Sequence, residues 1–425
     1  MNDYANRGDL VLSPVQTHAT RLNVQSGQGA YLHTTDGQRI LDFACGIAVT
    51  NTGHCHPDVV AAIQTQAQHL IHACSGVVYY EPHIQLAEQL RRCLDWSDAQ
   101  FFFTQSGAES IEAALKLAKY VSKKTRILAF KGGFHGRTLG ALSITSSKAS
   151  YQSGYEPLLP QVDFIDYPYR YHRPDDQSDA AYLDGLIDQI TEYFERYHAG
   201  LAAVVIEPIL GEGGYVPAPL VVLEKLRQLC DRYGVFLIFD EIQSGIGRTG
   251  HWFAFQHFGV EPDIVTIAKG VASGMPLGAV VAREAIMSQW SAGAHGGTFS
   301  GNPVCAAAAI ATIDVIESVL PRVHSLSSVA MSFLTERLAD HPHVGEIRGV
   351  GLMIGIELVL DTQTRAPNPD LVKSVLADCL ANQVLVVSCG VRSNVIRLMP
   401  PLIIDEDTLL SGLTVLCDAL KRYRS

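Results

Sequence analysis

The 425-residue sequence has few charged residues and no excess of basic ones. Asp, Glu, Lys and Arg make up 18% of it, and 43 acidic residues against 32 basic ones leave a formal net charge of −11. Nucleic acids and anionic membrane surfaces recruit basic faces, so this balance argues against both as partners. So few charges would cover a monomer of this length poorly, and the deficit favours a buried subunit interface.

The cysteines form no regular framework. There are nine, an odd number, and no two stand in a Cys-x-x-Cys pair. His54-Cys55-His56 is the densest group of metal-ligand residue types, but adjacent side chains rarely converge on one ion and no matching cluster lies elsewhere. We therefore expect no metal site. Scattered, reduced thiols are typical of an enzyme of the cytoplasm.

A long uninterrupted apolar run is also missing. The first ten residues contain Asp3, Arg7 and Asp9, so no targeting signal is expected there. The longest stretch without a charge, Ala285–Ile313, is broken by Gly, Ser, Asn, His and Pro303. Such a stretch is not expected to cross a bilayer as one apolar helix.

From about residue 100 the sequence alternates short apolar strands with helices. Strands are predicted at 100–104, 126–130, 202–206, 235–239, 263–268 and 277–282, and helices between them include 111–121 and 220–233. Continuous apolar strands separated by helices predict a largely parallel sheet covered on both faces.

Both ends of the chain predict a smaller α+β unit. Two strands are predicted on either side of an Asp36-Gly37 turn within 31–43, and further strands at 344–349, 352–358, 384–387 and 395–399. Helices are predicted from Pro57 to about His72, from Pro303 to about Val319 and at 371–382. We predict an N-terminal segment at 1–60 that contributes to the small domain, a large domain at 61–325 and a C-terminal small domain at 326–425.

Two polar residues end neighbouring apolar strands. Asp240 follows 235–239, and Lys269 follows the next predicted strand. Taken singly, they are read as a helix N-cap and a surface lysine. As a pair they lie at one edge of the sheet, where α/β proteins bind ligands. Pyridoxal phosphate needs both groups, a desolvated amine for its aldehyde and a carboxylate for its pyridine nitrogen.

Two glycine-containing loops follow other predicted strands. Ser106-Gly107-Ala108 opens a helix, whose N-terminal N–H groups and dipole suit a phosphate. The sequence has neither a P-loop nor a complete dinucleotide glycine motif, which favours a phosphate monoester over a nucleotide. In the second loop, residues 132–138, Phe134 could stack on a cofactor ring and Arg137 could bind a carboxylate, or the loop could be an ordinary tight turn.

These motifs together resemble the class III (subgroup II) aminotransferases of pyridoxal-phosphate fold type I. The resemblance covers nearly the whole chain, with matching motifs at 42–49, 51–54, 106–109, 134–138, 207–208, 211–214, 240–245, 247–250, 268–270, 296–303 and 394–398. It implies an α/β fold with a large, mainly parallel seven-stranded-type sheet and a small α+β domain. It implies pyridoxal 5'-phosphate as the cofactor.

The resemblance also implies roles for residues. Lys269 would form the internal aldimine and then move the proton between substrate and cofactor, while Asp240 would pair with the pyridinium nitrogen. Further cofactor contacts are implied for Ser106, Gly107, Ala108, Phe134, His135, Glu207, Gln243 and Thr298. Phe134 stands where many relatives have Tyr, so it can stack but donates no hydrogen bond. Thr298 would reach the phosphate in a partner subunit, which makes a homodimer part of the site and leaves a tetramer open.

Substrate contacts are implied for four residues. Arg137 would hold the carboxylate of an ω-amino acid, Arg397 the α-carboxylate of glutamate or 2-oxoglutarate, and Ile47 would line the pocket. Glu212 would pair with Arg397 when the substrate has no α-carboxylate, because an unpaired buried guanidinium is costly. The implied reaction is a ping-pong transamination that ends with the amino group on 2-oxoglutarate.

The motifs leave the amino donor open between two main classes. Residues 53–57 are more like those of enzymes that act on N-acetylornithine, whereas 80–82, 296–303, 388–390 and 394–397 are more like those that act on 4-aminobutyrate. The balance favours 4-aminobutyrate. N-acetylornithine, ornithine or another ω-amine is the alternative, and a racemase of the same fold is a more distant one. A non-enzymatic regulator is disfavoured because the sequence has no basic DNA-binding region.

Overall fold

Strands from all parts of the chain build three main sheets in the computed structural model, which describes residues 3–424. The strands are β1 (Val24–Gln28), β2 (Tyr31–Thr34), β3 (Arg39–Asp42), β4 (Ala99–Thr104), β5 (Arg126–Phe130), β6 (Val162–Ile165), β7 (Leu201–Ile206), β8 (Ile209–Leu210), β9 (Val216–Pro217), β10 (Phe236–Asp240), β11 (Ile264–Ile267), β12 (Gly278–Arg283), β13 (Val344–Val350), β14 (Met353–Leu358), β15 (Val384–Leu385), β16 (Val387–Cys389) and β17 (Val395–Leu398).

The helices cover the faces of these sheets. They are α1 (Tyr4–Val11), α2 (Cys45–Ala48), α3 (Pro57–His69), α4 (Glu81–Leu94), α5 (Gly107–Ser122), α6 (Leu139–Ser143), α7 (Ala149–Gln152), α8 (Asp179–Tyr197), α9 (Leu220–Tyr233), α10 (Ala254–Phe258), α11 (Glu284–Met287), α12 (Pro303–Leu338), α13 (Pro369–Ala381) and α14 (Glu406–Lys421). Two short 3-10 turns lie at Arg170–His172 and Lys269–Ala272.

The central sheet has seven strands in the order β4-β12-β11-β10-β7-β5-β6. The strands from β11 to β6 run parallel, and only β12 is antiparallel to its neighbours β11 and β4. Every residue of β7 and β11 is buried, as expected for strands covered on both faces. The predicted large, mainly parallel seven-stranded sheet is confirmed.

Two four-stranded sheets lie outside the central one. In the first, ordered β1-β2-β3-β15, Val384 pairs in parallel with Leu41, so both chain ends share a sheet. The second is ordered β13-β14-β17-β16 and is antiparallel. The domain boundaries near residues 60 and 325 stay predictions. Residues 1, 2 and 425, at the ends of the first and last predicted segments, lie outside the described residues.

The helix α12 corrects one prediction from the sequence. It was expected to end near Val319 but continues through Pro321 to Leu338. A proline inside a helix removes one backbone hydrogen bond and usually ends it. Here burial continues on the far side, with Val323 and Leu326 in the core, and this packing outweighs the local cost. The predicted helix from Pro57 to about His72 is shorter than expected and ends at His69.

Among residues 3–424, α12 is also the one helix that is long and apolar enough, by length and composition, to cross a membrane. Its most apolar 18-residue window has a mean hydropathy of 1.7 and is half buried inside the protein. Core helices meet the same criterion, and α12 packs against α3, α4 and α14.

All nine cysteines are free thiols, and seven of them are buried. This arrangement agrees with the reduced thiols that the sequence predicts. A cytoplasmic location stays a prediction.

Candidate active site

The carboxyl edge of the central sheet surrounds a cavity of about 210 Å³. Strands β4, β5, β7, β10 and β11 each end beside it. Its lining is Gly107, Ala108, Phe134, His135, Gly136, Glu207, Glu212, Asp240, Ile242, Gln243 and Lys269. A larger cleft of about 900 Å³ lies beyond Gly132 and Gly213, but none of the predicted site residues line it. The smaller cavity is therefore the candidate active site.

Asp240 is buried at the end of β10 and is held by three donors. Its Oδ2 lies 2.7 Å from Nδ1 of His135, and its Oδ1 accepts from the Ile242 amide at 3.1 Å and from Thr266 Oγ1 at 3.3 Å. Burial alone would lower the pKa of His135, but the hydrogen bond and the charge of Asp240 raise it overall. The pair places a fixed carboxylate in the wall of the cavity.

Lys269 follows β11 and faces the cavity, enclosed by protein around its amine. Desolvation, and then the positive charge of Arg397, lower the pKa of this amine to about 8. Its backbone has φ 45°, in the left-handed region that non-glycine residues rarely adopt. The lowered pKa increases the fraction of neutral amine, which is the form that reacts with a carbonyl group.

Glu207 joins two of the loops around the cavity. Its Oε1 accepts from the Phe134 amide and its Oε2 from the Gly211 amide, both at 2.8 Å. Burial raises the pKa of this carboxyl to about 7, although the positive charge of His135 opposes the change. The carboxyl therefore acts as a tie between the loops after β5 and β7.

The N-terminus of α5 opens onto the cavity. Ser106 is the N-cap, and its hydroxyl accepts from the Glu109 amide at 3.2 Å. The amides of Gly107 and Ala108, in the first turn, have no acceptor inside the helix. Both residues line the cavity, so the free N–H groups and the positive end of the helix dipole meet there.

These groups fit pyridoxal phosphate. The cavity offers an amine of lowered pKa, a fixed carboxylate, a helix N-terminus and the ring of Phe134. Gln243 is buried against the same cavity, and its Oε1 has no hydrogen-bond partner in the described chain. An unpaired buried amide oxygen is costly unless a further group completes it.

A buried ion pair stands beside Lys269. Nη1 of Arg397, in β17, lies 3.0 Å from Oε2 of Glu212, with side-chain exposures of 5% and 15%. The other oxygen of Glu212, Oε1, lies 3.6 Å from Nζ of Lys148. The structure thus brings together the two residues for which the sequence predicts an exchange of partners.

Arg137 sits at the edge of the site with its guanidinium stacked on an aromatic ring. Its Cζ lies 4.0 Å from the ring centroid of Tyr151, and the Tyr151 ring meets Phe134 edge-on at 5.9 Å. Arg137 is exposed and has no ion pair within residues 3–424. Its charge is therefore available to an incoming carboxylate.

Two predicted residues lie away from the cavity. Ile47 is 46% exposed in α2, where Cys45 through Ala48 all have positive φ. Thr298 is exposed in the loop before α12. Neither lines the cavity.

Three residues at the site were missed by the sequence analysis: Thr266, Lys148 and Tyr151. Thr266 lies within β11, and no sequence signal distinguishes it from any other threonine in a strand. Lys148 and Tyr151 follow the glycine-rich loop, and their one sequence signal is that a cation and an aromatic come soon after it. In residues 3–424 no group of three His, Cys, Asp or Glu side chains is arranged to hold a metal ion.

Residues 12–420 match the family described as Aminotransferase class-III. The chain belongs to the class-III aminotransferases. It is 35% identical over 418 residues to a probable 4-aminobutyrate aminotransferase of Bacillus subtilis, covering 97% of this chain and 96% of that protein. It is 41% identical over 397 residues to an acetylornithine aminotransferase of Methanopyrus kandleri, covering 93% of each.

Solved structures agree with this assignment. An amine transaminase from an uncultivated Pseudomonas species, in its pyridoxal-phosphate-bound form, matches with a TM-score of 0.90 and 30% identity, covering 96% of this chain and 98% of the other. This class-III aminotransferase therefore has the fold type I of pyridoxal-phosphate enzymes, and its cofactor is pyridoxal 5'-phosphate.

Proposed function

We propose that this aminotransferase transfers the amino group of 4-aminobutyrate to 2-oxoglutarate, giving succinate semialdehyde and glutamate. The observation that carries the proposal is the buried Arg397–Glu212 pair beside Lys269, together with an exposed Arg137 that has no ion pair within residues 3–424. A donor without an α-carboxylate leaves the pair closed, whereas glutamate needs Arg397 free.

The cofactor, when bound, supplies an electron sink that stabilises negative charge on the substrate carbon. Lys269 would hold the cofactor through its amine, and the same amine would move the proton at the substrate carbon. Asp240, fixed by His135, would keep the pyridine nitrogen of the cofactor protonated. Phe134 would lie against the cofactor ring, and Gln243, with its amide turned so that Nε2 faces the ring, would donate to the phenolic oxygen.

The phosphate site of the proposal is the first turn of α5. Gly107 and Ala108 donate their free amides, and Ser106 holds the turn. Glu207 fixes the loop that carries Phe134 and His135.

Substrate carboxylates have two anchors in the proposal. Arg137 holds the carboxylate of 4-aminobutyrate, while Ile47, which does not line the cavity of the single chain, stays a predicted substrate contact. Arg397 holds the α-carboxylate of glutamate or 2-oxoglutarate after Glu212 has moved away. An arginine is suited to both tasks because its planar fork binds a carboxylate through two hydrogen bonds.

N-acetylornithine is the second candidate donor, and ornithine or another ω-amine a third. The acetylornithine aminotransferase relative, at 41% identity, supports this alternative. Each of these donors has a primary ω-amine, and the named ones also have a carboxylate, which are the groups that Lys269 and the arginines would engage.

We also propose a homodimer in the cytoplasm. Ile71, Val77, Tyr79 and Phe299 are 65%, 76%, 90% and 61% exposed. The segment that carries the first three lies beside the segment that carries Phe299, because Asn302 Nδ2 donates to the Ile71 carbonyl at 2.9 Å, Ser75 Oγ to the Ser300 carbonyl at 3.0 Å and the Tyr80 hydroxyl to the Gly301 carbonyl at 2.9 Å. Thr298 borders this apolar patch, as expected if it reaches the site of a second copy.

The donor is tested by adding 4-aminobutyrate, N-acetylornithine and ornithine separately to the holoenzyme without a keto acid. We expect 4-aminobutyrate to abolish the visible absorption of the lysine-bound cofactor. Adding 2-oxoglutarate then restores the absorption and yields one glutamate per turnover. If only N-acetylornithine removes the absorption, the proposed donor is wrong and the class of reaction stands. A change of configuration without glutamate formation would indicate a racemase.

A further inference from the structure

Glu212 contacts two cations, one with each carboxylate oxygen. Oε2 lies 3.0 Å from Nη1 of Arg397, and Oε1 lies 3.6 Å from Nζ of Lys148. The side chain of Lys148 is 28% exposed, against 5% for Arg397. The carboxylate thus stands between a buried cation and a more exposed one.

Lys148 is fixed relative to the cavity by its own loop. The amides of Ser146 and Ser147 donate to the Gly133 carbonyl at 2.8 and 3.0 Å, and the Gly132 amide donates to Ser146 Oγ at 3.0 Å. These bonds tie the segment before α7 to the loop that carries Phe134. The ammonium can therefore meet Glu212 without a movement of the backbone.

In the second half of the reaction, Glu212 needs a cation other than Arg397. When an α-carboxylate binds Arg397, Glu212 loses its partner. A carboxylate left in a mostly buried place without a cation is strongly unfavourable. It must protonate, reach water or find another cation.

The net charge around Glu212 also favours a second cation. Arg397, Glu212 and Lys148 together carry one positive charge, and an added carboxylate brings the group to neutral. Without the lysine, the same carboxylate would leave the group with one negative charge. Nε and Nη1 of Arg397 are also buried without a hydrogen-bond partner in the described part of the chain, although Nη1 lies 3.0 Å from Glu212, so the guanidinium has donors to spare.

We propose that Lys148 receives the carboxylate of Glu212 when Arg397 binds the α-carboxylate of glutamate or 2-oxoglutarate. Lys148 is then a positioning residue that determines which substrates the site accepts. This inference rests on the proposed function, because it requires two substrates of which only one has an α-carboxylate.

In the test, glutamate and 4-aminobutyrate are added separately to the holoenzyme without a keto acid. The loss of visible absorption of the lysine-bound cofactor is measured at increasing donor concentration. Lys148→Met should raise the apparent Kd for both donors by different factors. We expect the factor for glutamate to be about ten times the factor for 4-aminobutyrate. Lys148→Arg keeps the charge and is the matched control, with a change of about twofold or less.

A second background separates this role from a structural one. In Glu212→Gln there is no carboxylate to receive, so adding Lys148→Met should leave the glutamate Kd within about twofold. An undiminished effect in that background overturns the proposal, since Lys148 would then touch the substrate itself or support the fold. Equal weakening of both donors, or of neither, also overturns it.

Failure of the proposed function is recognised from the wild type. If it accepts glutamate but not 4-aminobutyrate, the proposed donor is wrong, and the glutamate measurements in the two backgrounds still decide the role of Lys148. If it does not accept glutamate, both proposals fall.

Discussion

The amide side chain of Asn51 lies against Gly270, the residue that follows Lys269. A Cβ atom on Gly270 would stand 2.3 Å from Nδ2 of Asn51. Asn51 is itself held from two sides, since Nδ2 donates to the Ile246 carbonyl at 2.8 Å and Oδ1 accepts from Nη2 of Arg248 at 2.6 Å. The N-terminal segment thereby supports the turn that carries the reactive lysine.

The support extends to the C-terminal part of the chain. Arg248 is fully buried, and its Nη1 donates to the carbonyls of Leu352 and Pro400 at 3.2 and 2.5 Å. At the other end of the turn, Thr52 Oγ1 donates to Ser273 Oγ at 2.7 Å. Residues from both chain ends therefore help to hold the left-handed backbone of Lys269.

We expect Gly270→Ala to lower kcat by about 100-fold, because a displacement of about 1 Å at a reacting group has an effect of that size. The added methyl must push Asn51 or the Lys269 turn aside. The check is steady-state kinetics together with the absorption of the bound cofactor.

Gly185→Ala is the matched control, since Gly185 is exposed within α8 and a Cβ there meets no atom within 4 Å. It should leave kcat unchanged and stabilise the helix by about 1 kcal/mol. Unchanged kcat in Gly270→Ala would show that Asn51 does not position the lysine.

The pKa of Lys269 predicts how the apoenzyme takes up its cofactor. Only the neutral amine attacks an aldehyde, and desolvation followed by the charge of Arg397 lowers its pKa to about 8. The rate of reconstitution should therefore rise with pH and level off above about 8, rather than climb past 10 as for an ordinary lysine. Stopped-flow absorption measures it.

Arg397→Met should move that midpoint upward, because removing a nearby positive charge favours the protonated amine. Lys269→Ala should form no covalent adduct and should reduce turnover by about 10³-fold or more. Multiple turnovers in Lys269→Ala at the wild-type rate would contradict the role assigned to this residue.

Glu357 predicts a loss of stability in acid. It is buried, and it accepts from Nη1 of Arg348 at 2.8 Å, from Nε2 of His172 at 2.6 Å and from Tyr169. Burial alone would raise its pKa, but the His172 hydrogen bond and the Arg348 charge lower it to about 2. A carboxyl with a lowered folded-state pKa stabilises the protein above the unfolded value near 4.5, and this stabilisation disappears as the pH falls toward 2.

Glu357→Gln should therefore cost about 3 kcal/mol of unfolding free energy at pH 7, and its difference from the wild type should shrink as the pH falls from about 5 to about 2. Urea unfolding at each pH gives the values. Glu336→Gln, at an exposed position of α12, should differ little from the wild type at any pH. A pH-independent deficit in Glu357→Gln would contradict the assigned pKa.

The apolar patch predicts the assembly. Tyr79→Glu places a charge at a position that is 90% exposed in the single chain but buried in the proposed dimer. We expect it to sediment as a monomer at micromolar concentration and to bind the cofactor more weakly than the wild type by about tenfold. Leu360→Glu, at an exposed apolar position outside the patch, should remain a dimer. A monomeric wild type would remove the dimer altogether.

The central sheet could be predicted from the sequence because β4, β5, β7, β10, β11 and β12 are short, apolar and bounded by turns. The missed strand β6 lies at the sheet edge, where Asp163 interrupts the apolar pattern. The end of α12 was missed because a local rule for Pro321 gives way to tertiary packing, which the sequence does not display.

The residues of the site also fall into those that the sequence predicts and those that it does not. Asp240, Lys269 and Gly107 follow apolar strands, so topology alone brings them to one edge. The contact of Lys148 with Glu212 joins two loops of different strands, and no spacing in the sequence encodes its distance. The same holds for Asn51 against Gly270, a contact between distant segments that only the folded chain reveals.

The pairing of β15 with β3 has a consequence for the growing chain on the ribosome. Residues 39–42 leave the exit tunnel long before their neighbour at 384–385 is made, because the two strands are far apart in the sequence. Until then β3, whose Ile40 and Leu41 are buried in the finished protein, presents an open edge to other nascent strands. That edge stays open until residues 384–385 have been made, and during this interval it is available for aggregation.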